Sequence, residues 1–511
     1  PSLISDVLPK GYSYRNINPS TMKTFLLTLG FLCGICRVHS ARDADRIESL
    51  PGWSGDLPSK QYSGYLNAGN GKHLHYWFVE SEGNSSGRAS SDPVVFWFNG
   101  GPGCSSLDGY FYEHGPLHVV EPVVNSSDGA PQLYANPYAW NRVANLVFLE
   151  SPAGVGFSYA DSPDGLQHND TSTAQDAYAA VVDFFQGFPE YQNNEFYIAG
   201  ESYAGMYVPT LALQVIAHNE ALEKNVKVDT PLSKINIKGI LVGNGVTGAD
   251  SIPENIEIAN DVELYFGHAL FNKSLHTAIL SACGDYTSMK LDCETLLGEM
   301  HETIGNINVY NIYGPCIMSM DKNQRDVKTL RAPLSPRRKA FWEQAGLGGP
   351  DGCIDAGAAT QYLDHPAVRK AIHVDVQGVG SRPWHICGIN GGAYTSNFGS
   401  LLPYYKSTLI PKIRVLIFNG DVDCCVPYKG NEWWTESLNL PIIKSWRPWT
   451  VENQVAGYVT SYAQDFTFLT VKGAGHMVPQ FRPKQAFSMF QRMITGQSFD
   501  CESAPQGCKV Y

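Results

Sequence analysis

Short apolar runs that end in glycine or proline turns recur along the chain and predict buried strands. Six stretches have this character, at 93–98, 145–150, 195–200, 237–243, 413–418 and 466–471. Amphipathic stretches at 172–185 and 206–219 lie between them and predict helices. This alternation of apolar strands with amphipathic helices favours an α/β sheet that is mostly parallel and covered by helices on both faces.

The interval 248–355 departs from this pattern, and we interpret it as an inserted cap. It lacks the rhythm of strands and glycine turns, and it includes a basic stretch at 325–339 that contains Pro333 and Pro336. Such a stretch suits either a processing site or a solvated loop. The interpretation divides the core into a first part, 41–247, and a second part, 356–500, followed by a tail at 501–511.

Residues 1–40 predict an upstream segment and a signal peptide. Met22 and Lys23 precede an apolar run at 25–36, and small residues around Ser40 mark a cleavage site after it. Residues 1–21 contain no Met and are interpreted as translated upstream sequence, with an ordered N-terminal arm as the alternative. Residues 1–40 are therefore not counted in the predicted fold.

Composition and charge narrow the classes of function. The 511 residues include 37 Lys and Arg against 49 Asp and Glu, a net charge of -12, which argues against a nucleic-acid partner because phosphate binding needs a basic surface. The 43% of hydrophobic residues can bury a large core. After residue 40, no stretch approaches the roughly 18 continuous apolar residues of a membrane span. We therefore expect a mature protein without a membrane span that enters the secretory pathway.

Cysteines and glycosylation sequons fit that route. Ten cysteines follow residue 40, and an oxidising route favours disulfides over metal binding. No CxxC or HExxH motif is present there, so we predict no metal and no cofactor. The four acceptor sequons begin at Asn84, Asn125, Asn169 and Asn272.

The segment 200–205, with the sequence GESYAG, carries a candidate nucleophile. Ser202 follows a predicted strand and precedes a predicted helix, as a serine on a sharp strand-to-helix turn requires. Small residues flank such a serine because the two backbones pass closely, although Ala204 breaks the strict G-x-S-x-G pattern. A structural serine that caps the helix is the alternative.

A base and an orienting acid are also needed, because an isolated serine hydroxyl is a poor nucleophile. One downstream strand leads to Asp421 and Asp423, and the next leads to His476 in a loop of small residues. Open α/β sheets place catalytic groups in such loops. The chain order Ser, Asp, His is that of α/β-hydrolases, and it predicts this fold with an inserted cap. Spacing alone does not choose between the two acids.

Backbone N–H groups are the candidates for binding the oxyanion that forms when Ser202 attacks a carbonyl. Tyr203 directly follows the nucleophile, and the glycine-rich turn after Phe98 offers a second donor at Gly101. A phosphate-binding role for this turn is disfavoured, because neither a Walker lysine nor GxGxxG spacing follows it.

Four motifs together resemble the serine carboxypeptidases, and the likeness spans about 50 to 500. They are NGGPGCSS at 99–106, GESYAG at 200–205, NGDVD at 419–423 and GAGHMVP at 473–479. The resemblance implies that Ser202 is the nucleophile, His476 the base and Asp423 its orienting acid, whereas Asp421 is structural. It also implies that Met477 and the cap shape the substrate pockets.

The resemblance further implies peptide substrates with a free C-terminal carboxylate, which Asn99, Gly100 and Glu201 hold, with Glu113 beside Glu201. Two carboxyls that share a hydrogen bond cannot both ionise cheaply, so at least one should stay protonated in acid and donate to the substrate. The implied activity is release of C-terminal residues through an acyl-enzyme, favoured at acidic pH. The implied compartment is a lysosome, a vacuole or the extracellular space.

Two other functions stay open. Acyltransferases on the same fold tend to carry Asp before the nucleophilic serine, where this chain carries Glu201, which favours hydrolysis. The protein could instead act mainly as a stabilising partner of other lysosomal enzymes. Retained activity on a blocked dipeptide would distinguish catalysis from pure binding. The oligomeric state is open, with a homodimer as one option.

The same resemblance implies three disulfides. They would join Cys104 to Cys387, Cys283 to Cys293, and Cys316 to Cys353. The chain departs from the family pattern in two places. Cys424 and Cys425 directly follow Asp423, so we expect at least one free thiol near the active site. Cys501 and Cys508 in the tail could close a short loop.

Overall fold

One mixed sheet organises the computed structural model, which describes residues 42–83, 91–228, 230, 232–315 and 356–500. The strands in chain order are β1 Arg46–Ile47, β2 Gln61–Asn67, β3 Lys72–Val79, β4 Val94–Phe98, β5 Leu117–Val119, β6 Leu133–Ala135, β7 Asn145–Leu149, β8 Tyr159–Ala160, β9 Gln167–Asn169, β10 Phe196–Glu201, β11 Ile237–Gly243, β12 Ala393–Thr395, β13 Arg414–Gly420, β14 Ile442–Val451, β15 Gln454–Tyr462 and β16 Phe466–Val471. The helices of six or more residues are α1 Asp170–Gly187, α2 Ala204–Glu223, α3 Glu254–Gly267, α4 Lys273–Cys283, α5 Leu291–Ile304, α6 Gly357–Leu363, α7 Pro366–Ala371, α8 Tyr428–Ser437 and α9 Pro483–Thr495.

The six predicted strands form the centre of the sheet. In space they run β7, β4, β10, β11, β13 and β16, and every neighbouring pair is parallel. Their carboxyl ends therefore meet at one edge of the sheet, which is where open α/β sheets bind ligands. Helices α1 and α2 contain the two predicted helical stretches. The predicted α/β-hydrolase class is confirmed.

Antiparallel strands that the sequence pattern did not predict extend the sheet at both ends. On one side β3 pairs with β7 and is followed by β2 and β1, and on the other β15 and β14 lie beyond β16. The apolar run of β3 is short, only 76–79, because Lys72, His73 and His75 interrupt the first half of the strand. Lys72 is nevertheless buried, since its Nζ lies 2.6 Å from Asp176 Oδ2 on α1. Pairing of this kind offsets the cost of burying a charge.

Alternate residues of the central strands pack on opposite faces of the sheet, as the pleat of a strand requires. On β4, Val94 and Phe96 belong to an apolar cluster with α1 and α2. Val95 and Trp97 belong to a second cluster, to which α6, α7 and α9 contribute. Both faces are thus covered, which explains why the central strands are apolar nearly throughout.

The described part of the predicted cap, up to residue 315, contains α3, α4 and α5. Their apolar side chains form a third cluster with Cys424 and Met477, which come from loops after β13 and β16. The Cys283–Cys293 disulfide joins the end of α4 to α5, as the resemblance implied. The three helices therefore pack next to the edge of the sheet where the central strands end.

Several predictions fall outside the described residues. These are the segment 1–40, the sequon at Asn84, the Cys316–Cys353 disulfide, the basic stretch at 325–339, and the tail 501–511 with Cys501 and Cys508. Within the described ranges, no helix has the length and apolar character that would let it cross a membrane.

Candidate active site

Ser202 lies on the turn between β10 and α2, at the carboxyl end of a central strand. Its φ is 62°, in the left-handed region that residues other than glycine rarely adopt. A Cβ on Gly200 would lie 2.5 Å from the last carbonyl oxygen of β4, and one on Gly205 would lie 2.2 Å from the carbonyl oxygen of Val246. The backbone passes closely at Gly200 and at Gly205. The second small residue that this turn needs is therefore Gly205, and Ala is tolerated at position 204.

His476 and Asp423 form a buried acid–base pair. His476 Nδ1 lies 2.7 Å from Asp423 Oδ2. The same oxygen accepts hydrogen bonds from Asn244 Nδ2 at 2.7 Å and from the N–H of Val426 at 3.1 Å, and Oδ1 accepts from the N–H of Cys425 at 2.8 Å. Four donors thus fix the carboxylate, which accepts from Nδ1 and leaves Nε2 as the ring nitrogen available for chemistry.

Asp421 makes a different contact. Its Oδ1 accepts a hydrogen bond of 2.6 Å from the N–H of Gly473, which ties the end of β13 to the loop that carries His476. This contact agrees with the structural role that the resemblance implied. The contacts therefore distinguish Asp423, which faces His476, from Asp421, which does not, and sequence spacing alone could not make this distinction.

Nε2 of His476 is buried and has no hydrogen-bond partner among the described residues. The expected hydrogen bond between Ser202 and this nitrogen is therefore not formed in the structure, although the pair of His476 and Asp423 is. Catalytic hydrogen bonds of this type often tighten only in the complex with substrate. Ser202 is partly exposed, whereas its neighbours Glu201 and Tyr203 are buried.

The glycine-rich turn after β4 lies directly against the nucleophile turn. A Cβ on Gly100 would lie 2.3 Å from the Tyr203 nitrogen and 2.7 Å from Ser202 Cβ, so only glycine fits. Gly101 has a φ of 107°, which also favours glycine. Neither the N–H of Gly101 nor that of Tyr203 donates a hydrogen bond to another described residue. Two unpaired backbone donors thus lie on adjoining turns.

A disulfide and a short backbone bridge hold the glycine-rich turn. Cys104 and Cys387 are bonded, as the resemblance implied. Beside them, the N–H of Gly388 donates to the carbonyl of Gly103 at 2.9 Å. The turn is therefore fixed to the segment that precedes β12.

Three carboxyl groups meet around Asn99, and one of them belongs to Glu201, which directly precedes Ser202. Asn99 Oδ1 accepts from Trp97 Nε1 at 2.8 Å, which orients the amide so that Nδ2 faces the acids. Nδ2 donates to Glu113 Oε1 at 3.0 Å, to Glu201 Oε1 at 3.1 Å and to Asp108 Oδ2 at 3.4 Å. All four of these side chains are buried. We call Asp108, Glu113 and Glu201 the carboxyl cluster.

Burial raises the pKa of every member of the carboxyl cluster, because removal from water disfavours the ionised form. It raises the pKa of Asp108 to about 7, although attraction to His476 lowers it in part. Burial and then repulsion by Asp108 raise the pKa of Glu113 to about 8. Burial and then Glu113 raise the pKa of Glu201 well above its usual value. The cluster therefore holds protons in acid.

The carboxyl cluster is also the group of described residues that could hold a metal ion. One oxygen from each acid lies within 4.8 Å of the others. The Asn99 amide nitrogen donates into the same space, and the raised pKa values favour protonated acids, which are poor cation ligands. The arrangement suits hydrogen bonding to an anion better than metal binding.

A second trio of serine, histidine and acid lies inside the core, away from the nucleophile turn. Ser63 Oγ lies 2.9 Å from His75 Nε2, and His75 Nδ1 lies 2.9 Å from Glu150 Oε2. All three residues are fully buried, and the Ser63 hydroxyl donates to the carbonyl of Ile372 at 2.6 Å. A substrate cannot reach a fully buried hydroxyl whose proton is already donated to a backbone carbonyl, so this trio is structural.

Sequence reasoning gave no role to Asp108 or Asn244. Asp108 lies in the stretch after the glycine-rich turn, but its place in the carboxyl cluster depends on a helical turn at Gly109–Glu113. Asn244 directly follows β11, and it reaches Asp423 because β11 lies beside β13 in the sheet. Its position at the end of a central strand was the available signal.

The remaining predicted residues lie as follows. Met477 is buried in the third apolar cluster, so its contribution to a substrate pocket stays a prediction. Cys424 is buried and Cys425 is partly exposed. The predicted sugar acceptors Asn125 and Asn272 are exposed, whereas Asn169 is partly buried as the N-cap of α1. Glycosylation and a free thiol stay predictions.

Comparisons with known proteins show the family of the chain. A family model described as serine carboxypeptidase matches residues 51–496. The chain is 38% identical over 496 residues to serine carboxypeptidase-like 21 of Arabidopsis thaliana, with 90% of this chain and 95% of the relative covered. It is 37% identical over 511 residues to lysosomal protective protein of Mus musculus, with 94% and 100% covered.

A solved structure supports the fold. Kex1(delta)p, a prohormone-processing carboxypeptidase from Saccharomyces cerevisiae, matches with a TM-score of 0.64 at 20% identity, over 89% of this chain and 96% of that chain. With the family match over most of its length and two relatives above 30% identity, the chain belongs to the serine carboxypeptidase family, a family of serine-type hydrolases.

Proposed function

We propose that the protein releases C-terminal residues from peptides through an acyl-enzyme at Ser202, with peptide binding favoured in acid. The observation that carries the proposal is that Glu201, a member of the carboxyl cluster, directly precedes Ser202 at the end of β10. A peptide held at the cluster by its terminal carboxylate would present its last peptide bond to the Ser202 hydroxyl.

In the proposed first step, Ser202 Oγ attacks the scissile carbonyl carbon while His476 Nε2 accepts the hydroxyl proton. The resulting oxyanion accepts hydrogen bonds from the N–H groups of Gly101 and Tyr203. Collapse of the intermediate breaks the C–N bond, and the imidazolium gives its proton to the leaving amine. Asp423 stabilises the imidazolium in this step, because its carboxylate accepts from Nδ1.

In the second step, a water molecule takes the place of the released amino acid. His476 Nε2 accepts a proton from this water as its oxygen attacks the ester carbonyl. The ester bond breaks, the proton returns to Ser202 Oγ, and the peptide leaves one residue shorter. The same two backbone N–H groups stabilise the oxyanion of both steps.

In this proposal, the carboxyl cluster recognises the terminal carboxylate by donating hydrogen bonds from its protonated acids. A peptide carboxylate has a pKa of about 3.5 and is ionised above pH 4. A protonated Glu201 or Glu113 can donate a hydrogen bond to it, and Asn99 and Gly100 lie beside them as further donors. Once these acids ionise they repel the substrate, so the affinity for peptides is expected to fall as the pH rises.

The test of this function is a comparison of N-blocked dipeptides that end in a free acid or in an amide. At pH 5 we expect kcat/KM to be about 10 to 100 times higher for the free acid, because its carboxylate makes charge-assisted hydrogen bonds that the amide lacks. At pH 8 the ratio should shrink, since the cluster then carries negative charge. Equal rates on both substrates at pH 5 would contradict the proposal.

The Glu201→Gln variant tests the role of the cluster in the pH dependence. In the wild type, KM should rise between pH 6 and pH 8.5, by up to about tenfold per pH unit once a required carboxyl ionises. Gln stays neutral at every pH, so the rise should be flatter in the variant. KM for an N-blocked dipeptide, measured across this range, gives the result.

Glu82→Gln is the matched control for this measurement. Glu82 is another acid whose pKa burial raises, but it lies near Arg142, outside the carboxyl cluster. Its substitution should leave the wild-type pH profile of KM unchanged. A Glu201→Gln profile that coincides with the wild type would show that Glu201 does not govern substrate binding.

The proposal includes entry into the secretory pathway and delivery to a lysosome, a vacuole or the extracellular space. The two disulfides suit an oxidising compartment. The name of the mouse relative, lysosomal protective protein, points in the same direction.

A further inference from the structure

We propose that Asp170 is a positioning residue for the oxyanion hole, acting through the side chain of Tyr203. The inference rests on the proposed function, because it assigns the Tyr203 N–H to the oxyanion. Asp170 is the first residue of α1, and its side chain is buried. No step of the mechanism above uses it.

The Asp170 carboxylate accepts five hydrogen bonds. Oδ1 accepts from the hydroxyls of Tyr203 at 2.6 Å and Tyr394 at 2.9 Å. Oδ2 accepts from the N–H of Asn397 at 2.7 Å, and from Phe398 N–H and Ser396 Oγ, each at 3.1 Å. A single carboxylate thus joins the nucleophile turn to the segment that follows β12.

None of these five hydrogen bonds caps the N-terminus of α1. The N-terminus of α1 is capped by Asn169, whose side chain accepts from the N–H of Ser172, and the Ser172 hydroxyl completes a reciprocal capping box. An acid needed only for the helix would bond to the amides of its first turn. The donors to Asp170 come instead from Tyr203 and from residues 394–398, so its contacts connect the turn that carries Ser202 to β12 and the residues that follow it.

The bond to Asp170 also restrains the backbone of Tyr203. Its ring is fully buried, and its hydroxyl is bonded to Asp170, so the side chain is fixed at both ends. The N–H of the same residue is the proposed oxyanion donor, 2.3 Å from the position that a Cβ on Gly100 would occupy. A shift of about 1 Å in a catalytic group can cost about 10²-fold in rate. Release of the hydroxyl should therefore lower kcat.

A second contact connects Tyr203, through Tyr207, to the other half of the proposed oxyanion hole. The Tyr207 ring lies 5.4 Å from that of Tyr203, and its hydroxyl accepts from the N–H of Gly103 at 3.3 Å. Gly103 belongs to the turn that contains Gly101. Tyr203 lies on one of the two turns that supply the proposed backbone donors, and its neighbour Tyr207 contacts the other.

The first variant to test is Tyr203→Phe, which removes the hydroxyl that donates to Asp170 and keeps the buried ring. We expect kcat for an N-blocked dipeptide to fall about tenfold and KM to stay within threefold, because the anchored N–H acts on the transition state. The inhibition constant of a peptide aldehyde, whose hemiacetal with Ser202 places an oxygen in the oxyanion hole, should rise in the same proportion. Asp170→Ala should lower kcat by about 100-fold.

Tyr394→Phe is the matched control. It removes a hydrogen bond of similar length to the same Asp170 oxygen, but Tyr394 supplies no oxyanion donor. Its kcat should stay within twofold of the wild type. Asp176→Asn controls for loss of stability in Asp170→Ala. Asp176 lies on the same helix as Asp170, and its substitution breaks the buried ion pair with Lys72 of β3, so it should lower Tm without lowering kcat per folded molecule.

Wild-type activity is measured first, which separates this inference from the proposed function. A wild type that releases no amino acid and does not react with a fluorophosphonate would overturn the proposed function itself. With an active wild type, the inference fails if Tyr203→Phe keeps full kcat, or if kcat falls while aldehyde affinity does not. Should Asp170→Ala not fold, the comparison of Tyr203→Phe with Tyr394→Phe decides the question.

Discussion

Replacement of Ser202 by Ala is expected to lower kcat for an N-blocked dipeptide by about 10⁴ to 10⁶-fold. The variant keeps the pair of His476 and Asp423, both oxyanion donors and the carboxyl cluster, but no atom remains to form the acyl-enzyme. Substrate binding should persist, because the proposed contacts of the terminal carboxylate are with residues other than Ser202. KM or a competitive-ligand Kd, measured beside the rate of amino-acid release, would therefore show an inactive enzyme that still binds.

Ser63→Ala is the control that the fold provides for this experiment. It makes the same change in the second, buried trio, where the hydroxyl contacts His75 and the Ile372 carbonyl. Loss of these bonds should cost about 1–3 kcal/mol of stability, while kcat per folded molecule stays near the wild-type value. A Ser202→Ala enzyme with more than about a hundredth of wild-type kcat would rule out the proposed nucleophile.

Asp423→Asn is expected to lower kcat by about 10⁴-fold, as loss of the orienting acid does in serine-protease triads. An Asn amide nitrogen at the Oδ2 position would face three donors and favour the tautomer of His476 that carries its proton on Nε2, which cannot act as a base. At the Oδ1 position it would face the N–H of Cys425. Either orientation leaves buried donors opposed, so Tm should also fall.

Asp421→Asn is the natural comparison, two residues away. Its side-chain oxygen can still accept from the N–H of Gly473, so kcat should fall by less than about tenfold. The two variants, assayed together over a pH series, distinguish the orienting acid from the acid that braces the loop. A larger loss in Asp421→Asn than in Asp423→Asn would reverse the assignment.

The central strands could be predicted from the sequence because both of their faces are buried, which requires apolar residues at nearly every position. The antiparallel strands that flank the central six could not. Lys72 and His75 on β3 are buried through ion pairs and hydrogen bonds with residues that lie about 75 to 104 positions away in the chain. The first half of β3 carries three polar residues, and the partners that allow two of them to be buried are set by tertiary structure.

The same limit applied to the site. Glycine spacing and strand ends indicated Ser202 and His476, because a nucleophile turn imposes local constraints that leave a pattern. The choice between Asp421 and Asp423 depends on which carboxylate faces the imidazole, and only the resemblance and the structure make it. Asn244 was missed because its contact with Asp423 depends on the lateral order of strands, which no local pattern encodes.

The carboxyl cluster also couples folding to the acidity of the surroundings. Burial raises the pKa of Asp108 from 3.8 to about 7 and that of Glu113 from 4.5 to about 8. At a pH between the ordinary and the raised pKa of each acid, the native chain holds a proton that the denatured chain has released. Proton uptake therefore accompanies refolding near neutrality, and a pH-indicator dye in a weakly buffered refolding mixture would register it. Under the proposed function, a rise in pH would weaken both substrate binding and the native state, because the same carboxyl cluster contributes to both.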